Sequence, residues 1–452
     1  MVGVTHSSHD AGSPTPGPPW LHAGHGLPQG AHIVATDFAH LTTLRTGGTP
    51  AATVACTTPE AVAAVVRDLD AAGRDVLVVG GGSNLVVGED VGGLVVVLVT
   101  TGDDARLPGA DAPAPGDPAG GAAGGDVTVD RRTGTVRAFA GVTWDDLVAR
   151  TVAEGLGGLE CLSGIPGSVG ATPVQNVGAY GAEVSQTLSR VHLHDRTTGR
   201  SGWVGPENLD LGYRHSNLKF TGRAVVTEVE FTLRTDGLSL PLRFGELARR
   251  LGVDADAAAD AGDGARRPVA EVREAVLDLR RGKGMVLDPD DHDTWSAGSF
   301  FTNPVVVGDA ARDAVIARVR ERCGDAEAAA VPCYAAGVSA ATDRPVAAAG
   351  GPGASGTVPT DAPAAGTPRY KFSAAWLIDR AGFPRGWHVP GNDRAGLSTR
   401  HTLALTNRGG ATSADIVELA RAVRDGVRAA FGVTLEPEPV WVGVTLDDPA
   451  AR

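Results

Sequence analysis

Between Cys161 and Gly181 the chain reads CLSGIPGSVGATPVQNVGAYG, 21 residues without one Asp, Glu, Lys, Arg or His. A span of that length without charge is not an ordinary solvated loop. It holds five glycines and two prolines. Glycine accepts positive φ and lets the backbone approach another group closely. Successive free N–H groups in such turns form a concavity that holds an anion such as a pyrophosphate. Ser163, Ser168, Gln175 and Asn176 add neutral hydrogen-bonding groups suited to the polar edges of a nucleotide. The ordinary alternative is a glycine-rich connection buried between packed elements.

At 452 residues the chain is long enough for two or three domains, each with its own core. Its 40 basic and 53 acidic residues give a formal charge of −13. That balance argues against a nonspecific polyanion binder but leaves room for a nucleotide-sized anion, which needs only a local cluster of donors. Cys56, Cys161, Cys323 and Cys333 show neither CxxC nor metal-ligand spacing and read as reduced thiols of a cytoplasmic protein. The N-terminus lacks a basic start followed by an apolar run, so no signal peptide is expected. The longest apolar run, Leu94–Val99, is far too short to span a bilayer.

Residues 1–35, rich in His, Pro and Gly, read as a disordered tail. Residues 101–126, 254–267 and 338–368 share a low-complexity Ala/Gly/Asp/Pro character and read as surface insertions. Between them, apolar periodicity predicts helices at Pro59–Ala72, from Thr143 with Asp146 as the acidic partner at its start, and at Val269–Arg281, Ser373–Arg380 and Ser413–Phe431. The last carries Ile416, Leu419, Val423 and Val427 on one face and stops at Gly432. Strands are expected at Val76–Gly80, Leu85–Val87, Leu94–Val99, Thr135–Gly141, Arg190–Asp195, Ala224–Leu233 and Leu435–Val444. This order predicts an α+β nucleotide-binding part to about residue 270, then a second α/β part.

Gly80-Gly81-Gly82-Ser83-Asn84 follows a strand, but a dinucleotide fingerprint would need glycine where Leu85 stands and a helix where a strand follows. A phosphate-wrapping turn and a plain β-turn both fit. Arg280-Arg281-Gly282-Lys283-Gly284 lacks Walker spacing; it reads as a basic helix end or as a cationic contact for a diphosphate. His192 and His194 share a strand face with no third ligand near, and no metal site is expected. The acidic run Asp288–Asp293 lacks the features of a calcium loop and reads as solvated. Three short segments carry chemistry: GYRHS at 212–216, SAGSFF at 296–301 and LEPEPV at 435–440. Singly each has an ordinary reading, with Ser299 a helix cap, Arg214 a surface ion pair and Glu438 a solvated edge residue. No GxSxG elbow marks Ser299 as a hydrolase nucleophile.

Taken in order, GGGSN, SGIPGSVGATPVQNVGAYG, GYRHS, AGSFFTNP and LEPEPV resemble the UDP-N-acetylenolpyruvoylglucosamine reductase family of peptidoglycan precursor synthesis, from about Leu41 to Val444. The resemblance implies an α+β fold: a two-part FAD-binding domain of the vanillyl-alcohol-oxidase (PCMH) type over 36–270, a C-terminal α/β substrate-binding domain over 271–432, and a terminal strand at 433–446 returning to the FAD domain. It implies a cytoplasmic oxidoreductase with non-covalent FAD and NADPH as hydride donor, reducing UDP-N-acetylglucosamine enolpyruvate to UDP-N-acetylmuramate. Its partners would be the UDP-sugar and NADPH, with no nucleic acid, membrane insertion or obligate protein partner.

By motif match Arg214 corresponds to the family's catalytic arginine, Ser299 to its proton donor and Glu438 to its catalytic carboxylate. Glu438 is preferred to Glu436 because the family's carboxylate directly precedes the last apolar stretch, although Pro439 intervenes here. Gly80, Gly81, Gly82, Ser83 and Asn84 match one FAD-contacting loop. Ser163, Gly164, Ile165, Pro166, Gly167, Ser168, Gly170, Ala171, Gln175, Asn176, Gly178, Ala179, Tyr180 and Gly181 match another. Tyr213, Lys283 and Asn303 match the substrate side. One departure is Phe244, where many members with this loop carry a tyrosine that approaches the substrate's diphosphate; Arg243 or Lys283 is left to supply the polar contact.

The chemistry suits these residue types. Hydride addition to a vinyl carbon leaves negative charge on the adjacent carbon and its carboxylate, which a planar, permanently charged arginine can stabilise. Glu438 would have to be protonated, or bridged through a proton, to help. Ser299 would then deliver a proton, with a cation such as Lys283 near its oxygen. Two rival readings stand: an FAD-dependent oxidase or dehydrogenase of another small alcohol or sugar, and a non-catalytic nucleotide-binding relative. AGSFF and LEPEP argue against the first, and the joint presence of Arg214, Ser299 and Glu438 against the second.

Overall fold

A computed structural model of the chain describes residues 26–101, 126–242, 245–253, 265–338 and 366–447. Val95–Val99 is buried at all of its positions, the environment that a continuous apolar run requires. It lies between Ala52–Cys56 and Val76–Val79, both parallel to it, and Ala31–Val34 adds an antiparallel edge. Helix Pro59–Ala71 starts with proline, is capped by the Thr58 side chain, and buries Ala61, Val62, Val65, Val66 and Leu69. A second sheet has five antiparallel strands in the order Arg200–Val204, Leu188–Asp195, Ala224–Thr232, Thr135–Phe139 and Val127–Asp130. Both sheets share one core with helices Trp144–Ala153 and Val269–Gly282. The fully buried Trp144 donates its indole N–H to Leu162 O at 3.0 Å, which pins the start of the glycine-rich span.

The C-terminal part has a sheet of Val305–Val307, Pro368–Phe372 and Cys333–Val338, packed with helices Asp309–Cys323, Ala374–Arg380 and Ser413–Phe431. The last helix begins with a Thr412–Asp415 capping box and ends at Gly432, whose φ is +71°. Ile416, Leu419, Val423 and Val427 are fully buried on its inner face, each worth about 1.5–3 kcal/mol in burial. The two parts are joined by backbone: Val440–Val442 pairs in parallel with Leu85–Val87, directly after the Gly80–Asn84 loop. Among the described residues no helix is long and apolar enough to cross a membrane.

Several expectations need correction. The tail expected to run to residue 35 ends earlier, because Ala31–Val34 is a sheet strand paired with Ala52–Cys56. Thr143 makes no side-chain capping bond; Asp145 and Asp146 both stand in the first turn, and Asp145 ties the helix start down by accepting from Gly164 N at 2.6 Å and pairing with Arg273 at 2.6 Å. The terminal strand is only Val440–Val442, since Pro437 and Pro439 remove backbone donors just before it. The acidic run is not all solvated: Asp293 is buried and accepts from the Ser398 and Thr399 hydroxyls and Thr399 N. The spans read as insertions lie outside the described residues except at their edges. There Ala265 is fully buried, Arg266 is buried and paired with Asp236, and Pro368 opens a strand. Arg243 and Phe244 also lie outside the described residues.

Candidate active site

A cavity of about 740 Å³ is lined by both sheets, the glycine loops and the C-terminal segments. Part of its wall is backbone, from Gly80–Asn84 and from residues 165–168 and 170–171. These two loops touch main chain to main chain. A Cβ on Gly81 would lie 2.4 Å from Gly167 Cα, and one on Gly80 would lie 2.0 Å from Ser168 Oγ. Ser83 Oγ donates to Pro166 O at 2.9 Å and locks the contact. Glycine is therefore required at 81 by the meeting of the loops, while a side chain at 80 would have to displace the Ser168 hydroxyl.

Further along the same span, Gly178–Ala179 and Ala182–Glu183 form a hairpin. Its turn residues Tyr180 and Gly181 have φ of +52° and +83°, as a type I′ turn demands. The Gly212–His215 turn closes through His215 N to Gly212 O at 3.1 Å. Arg214 is its third residue, at φ +54°, where a type II turn prefers glycine. A non-glycine residue held there stores about 1–3 kcal/mol of strain, a common mark of functional sites. Asn176 Nδ2 donates to Gly212 O at 2.8 Å and ties this turn to the glycine-rich span.

The turn aims Arg214 at Glu438. Arg214 Nε lies 3.2 Å from Glu438 Oε1, and its Nη2 donates to Gly178 O at 2.5 Å. Gln175 Nε2 donates to the same Glu438 oxygen at 2.8 Å. Glu438 is held in turn by main chain: its N donates to Phe300 O at 2.9 Å, and Thr302 N donates to Glu436 O at 3.0 Å. That short ladder brings Ser299, next to Phe300 and after Gly298 at φ +72°, to the same cavity as Glu438. Glu436 is exposed and does not line the cavity.

Five further basic side chains reach the cavity wall: Arg196, Lys219, Arg280, Lys283 and His401. Lys283 Nζ, expected beside Ser299, bonds Glu246 Oε2 at 2.6 Å and lies 5.8 Å from the Tyr180 ring. Arg280 is buried; it donates to Met285 O at 2.7 Å, while its Nε has no partner among the described residues. Burial lowers its pKa. His401 is held neutral, with a pKa of about 4, first by burial and then by Lys283, Arg385 and Arg280. Lys219, buried beside Glu438 and Arg214, has its pKa pushed down by burial to about 8.

Not every candidate reaches the cavity. Ser163 is fully buried and donates to Glu160 O at 2.6 Å, while Gly164 packs against Leu277 and Val286. Asn176 and Gly181 shape the turns around the cavity without lining it. Tyr213 does not line it; its ring packs near the Arg214 guanidinium, 5.2 Å away, and Lys371 Nζ, 4.9 Å away. Asn303 does not line it either; its Oδ1 accepts from Ala374 N at 2.9 Å at the start of a helix. Conversely, Lys219 and His401 were not singled out by sequence: neither belongs to a recognisable motif, and Glu438, beside Lys219, and Lys283, beside His401, come from distant segments.

A 740 Å³ cavity with a glycine-lined wall, apolar strands and a buried arginine with an unpartnered Nε suits a large, anionic, aromatic cofactor. These features define an FAD-binding flavoprotein, and residues 50–103 and 124–200 match the family model of an FAD binding domain. Residues 288–442 match the C-terminal domain of UDP-N-acetylenolpyruvoylglucosamine reductase. The reductase of Corynebacterium jeikeium is 66% identical over 420 residues, covering 92% of each chain. That of Mycobacterium tuberculosis is 47% identical over 426 residues, 92% of this chain and 97% of the other. In fold, the crystal structure of the Thermus caldophilus enzyme matches with a TM-score of 0.53 at 20% identity, covering 91% of this chain and 99% of that one. The chain belongs to the UDP-N-acetylenolpyruvoylglucosamine reductase family.

Proposed function

We propose that this chain reduces the enolpyruvyl ether of UDP-N-acetylglucosamine enolpyruvate to the lactyl ether of UDP-N-acetylmuramate, with NADPH as the electron source. One observation carries the reading: the Arg214–Glu438 pair, 3.2 Å apart, shares a cavity with Ser299 and both glycine loops. Residues 80–84 and those of 165–180 that line the cavity would hold FAD. Bound there, FAD supplies the chemistry of accepting hydride from NADPH and passing it to the vinyl carbon.

The chain's own residues do the rest. Arg214 keeps N–H groups beyond those given to Gly178 and Glu438, and these would hold the substrate carboxylate and the charge that develops beside it. Glu438, fixed by Arg214 and Gln175, orients that guanidinium. Ser299 would give its proton to the carbon bearing the charge. Lys283 would exchange Glu246 for an anionic group of the substrate. In this reading 36–270 serves FAD, extended at its start by the Ala31–Val34 strand, 271–432 closes over the UDP-sugar, and 433–446 returns Glu438 to the FAD side.

An anaerobic absorption titration of the purified protein tests this. NADPH should bleach the oxidised-flavin band, and UDP-N-acetylglucosamine enolpyruvate should restore it. Bleaching without restoration would shift the function to another acceptor, and no flavin after reconstitution with FAD would remove the enzymatic reading.

A further inference from the structure

Arg214 and Glu438 come from a four-residue turn and from the terminal segment, and their side chains meet at 3.2 Å. The main-chain supports of each are mostly local to its own side. Asn176 steadies the turn through Gly212 O, while Phe300 O and Asn84 steady the terminal segment. Lys219 reaches across both. Its Nζ lies 3.4 Å from Arg214 O and 3.3 Å from Glu438 O, within donating distance of each. We propose that Lys219 is a positioning residue, a buried ammonium that fixes the Arg214–Glu438 pair by holding the main-chain carbonyls of both. This rests on the activity proposed above.

A bland reading would make Lys219 a filler of the core. Its surroundings speak against that. It is only 8% exposed yet lines the cavity. Burying an ammonium is expensive unless its hydrogen bonds are made. Here they go to two carbonyls, and the Phe220 ring lies 4.8 Å from Nζ as a further cation-binding face. The clamp also relieves a specific weakness. Arg214 sits at φ +54°, and Lys219 bonds the carbonyl of that same strained residue.

The clamp carries its own signature. The charged groups facing Lys219 are Glu438, which favours the ammonium, and Arg214, which opposes it; burial dominates and sets its pKa at about 8. The ammonium, with three donors, prevails below that pH and the two-donor amine above it. Transfer to the enolpyruvyl substrate should therefore fall as pH rises through about 8, while reduction by NADPH, which does not use the pair, should not.

Anaerobic stopped-flow on the FAD-loaded wild type, Lys219→Met and Lys219→Arg tests this by separating the two half-reactions. In Lys219→Met, NADPH should reduce the flavin at the wild-type rate, while reoxidation by UDP-N-acetylglucosamine enolpyruvate slows about 10²-fold, the usual penalty for misplacement on the ångström scale. The alkaline limb near pH 8 should vanish. Lys219→Arg, permanently charged, should recover part of the rate without that limb. Wild-type reoxidation by Lys219→Met, or an equal loss in both half-reactions, overturns the proposal. Should Lys219→Met fail to retain FAD, Lys219→Arg decides alone, and an unchanged alkaline limb in it overturns the clamp. A wild-type protein that is reduced but never reoxidised overturns the functional reading itself, before any variant is compared.

Discussion

Gly81 and Arg214 line the same cavity and hold their places for different reasons. Gly81 is fixed by what it lacks: a Cβ there would sit 2.4 Å from Gly167 Cα, so the loop meets its partner only as bare backbone. Arg214 is fixed by what it carries, a guanidinium bonded to Gly178 O and Glu438 from a turn position that resists its side chain. A cradle made of backbone tolerates almost no substitution and offers little to titrate. A wall made of side chains offers charge and protons but depends on distant segments to aim them.

This contrast can be broken in graded steps. The largest effect belongs to the side-chain wall: Ser299→Ala should slow flavin reoxidation by the enolpyruvyl substrate by about 10²–10⁴, with reduction by NADPH intact. Equal slowing of both half-reactions in stopped-flow would remove Ser299 as the proton donor. Arg214→Gln should come next, at about 10²–10³ in the same half-reaction, because one electrostatic stabiliser is lost. Gly81→Ala should act on binding instead of chemistry. Overpacking of about 1–3 kcal/mol should lower the melting temperature and leave purified protein short of flavin by absorbance; full flavin content would mean that the loops can part. The smallest effect is expected from Glu436→Gln, on an exposed residue outside the cavity: steady-state kcat and KM should stay near wild type, and a large loss would put the working carboxylate at 436.

The cradle was far more legible in the sequence than the wall. Uncharged glycine-rich spans announce close backbone contact, and most of 80–84 and 163–181 does line the cavity. Periodicity likewise gave the inner face of Ser413–Phe431. What escaped was of another kind. Asn303 looks like a ligand residue and caps a helix; Lys219 looks like any surface lysine and lies buried between two carbonyls.

Local patterns carry information about neighbours three or four residues apart on a helix and two apart on a strand, and about where backbone must come close. Glycine placement, helix faces and the family motifs were therefore determined by sequence alone. The pairing of Leu85–Val87 with Val440–Val442, the ladder from Phe300 to Glu438, and the Lys219 clamp were decided only by tertiary structure. Their acceptors are main-chain carbonyls, which every residue possesses, so contacts spanning hundreds of residues leave no side-chain trace to read.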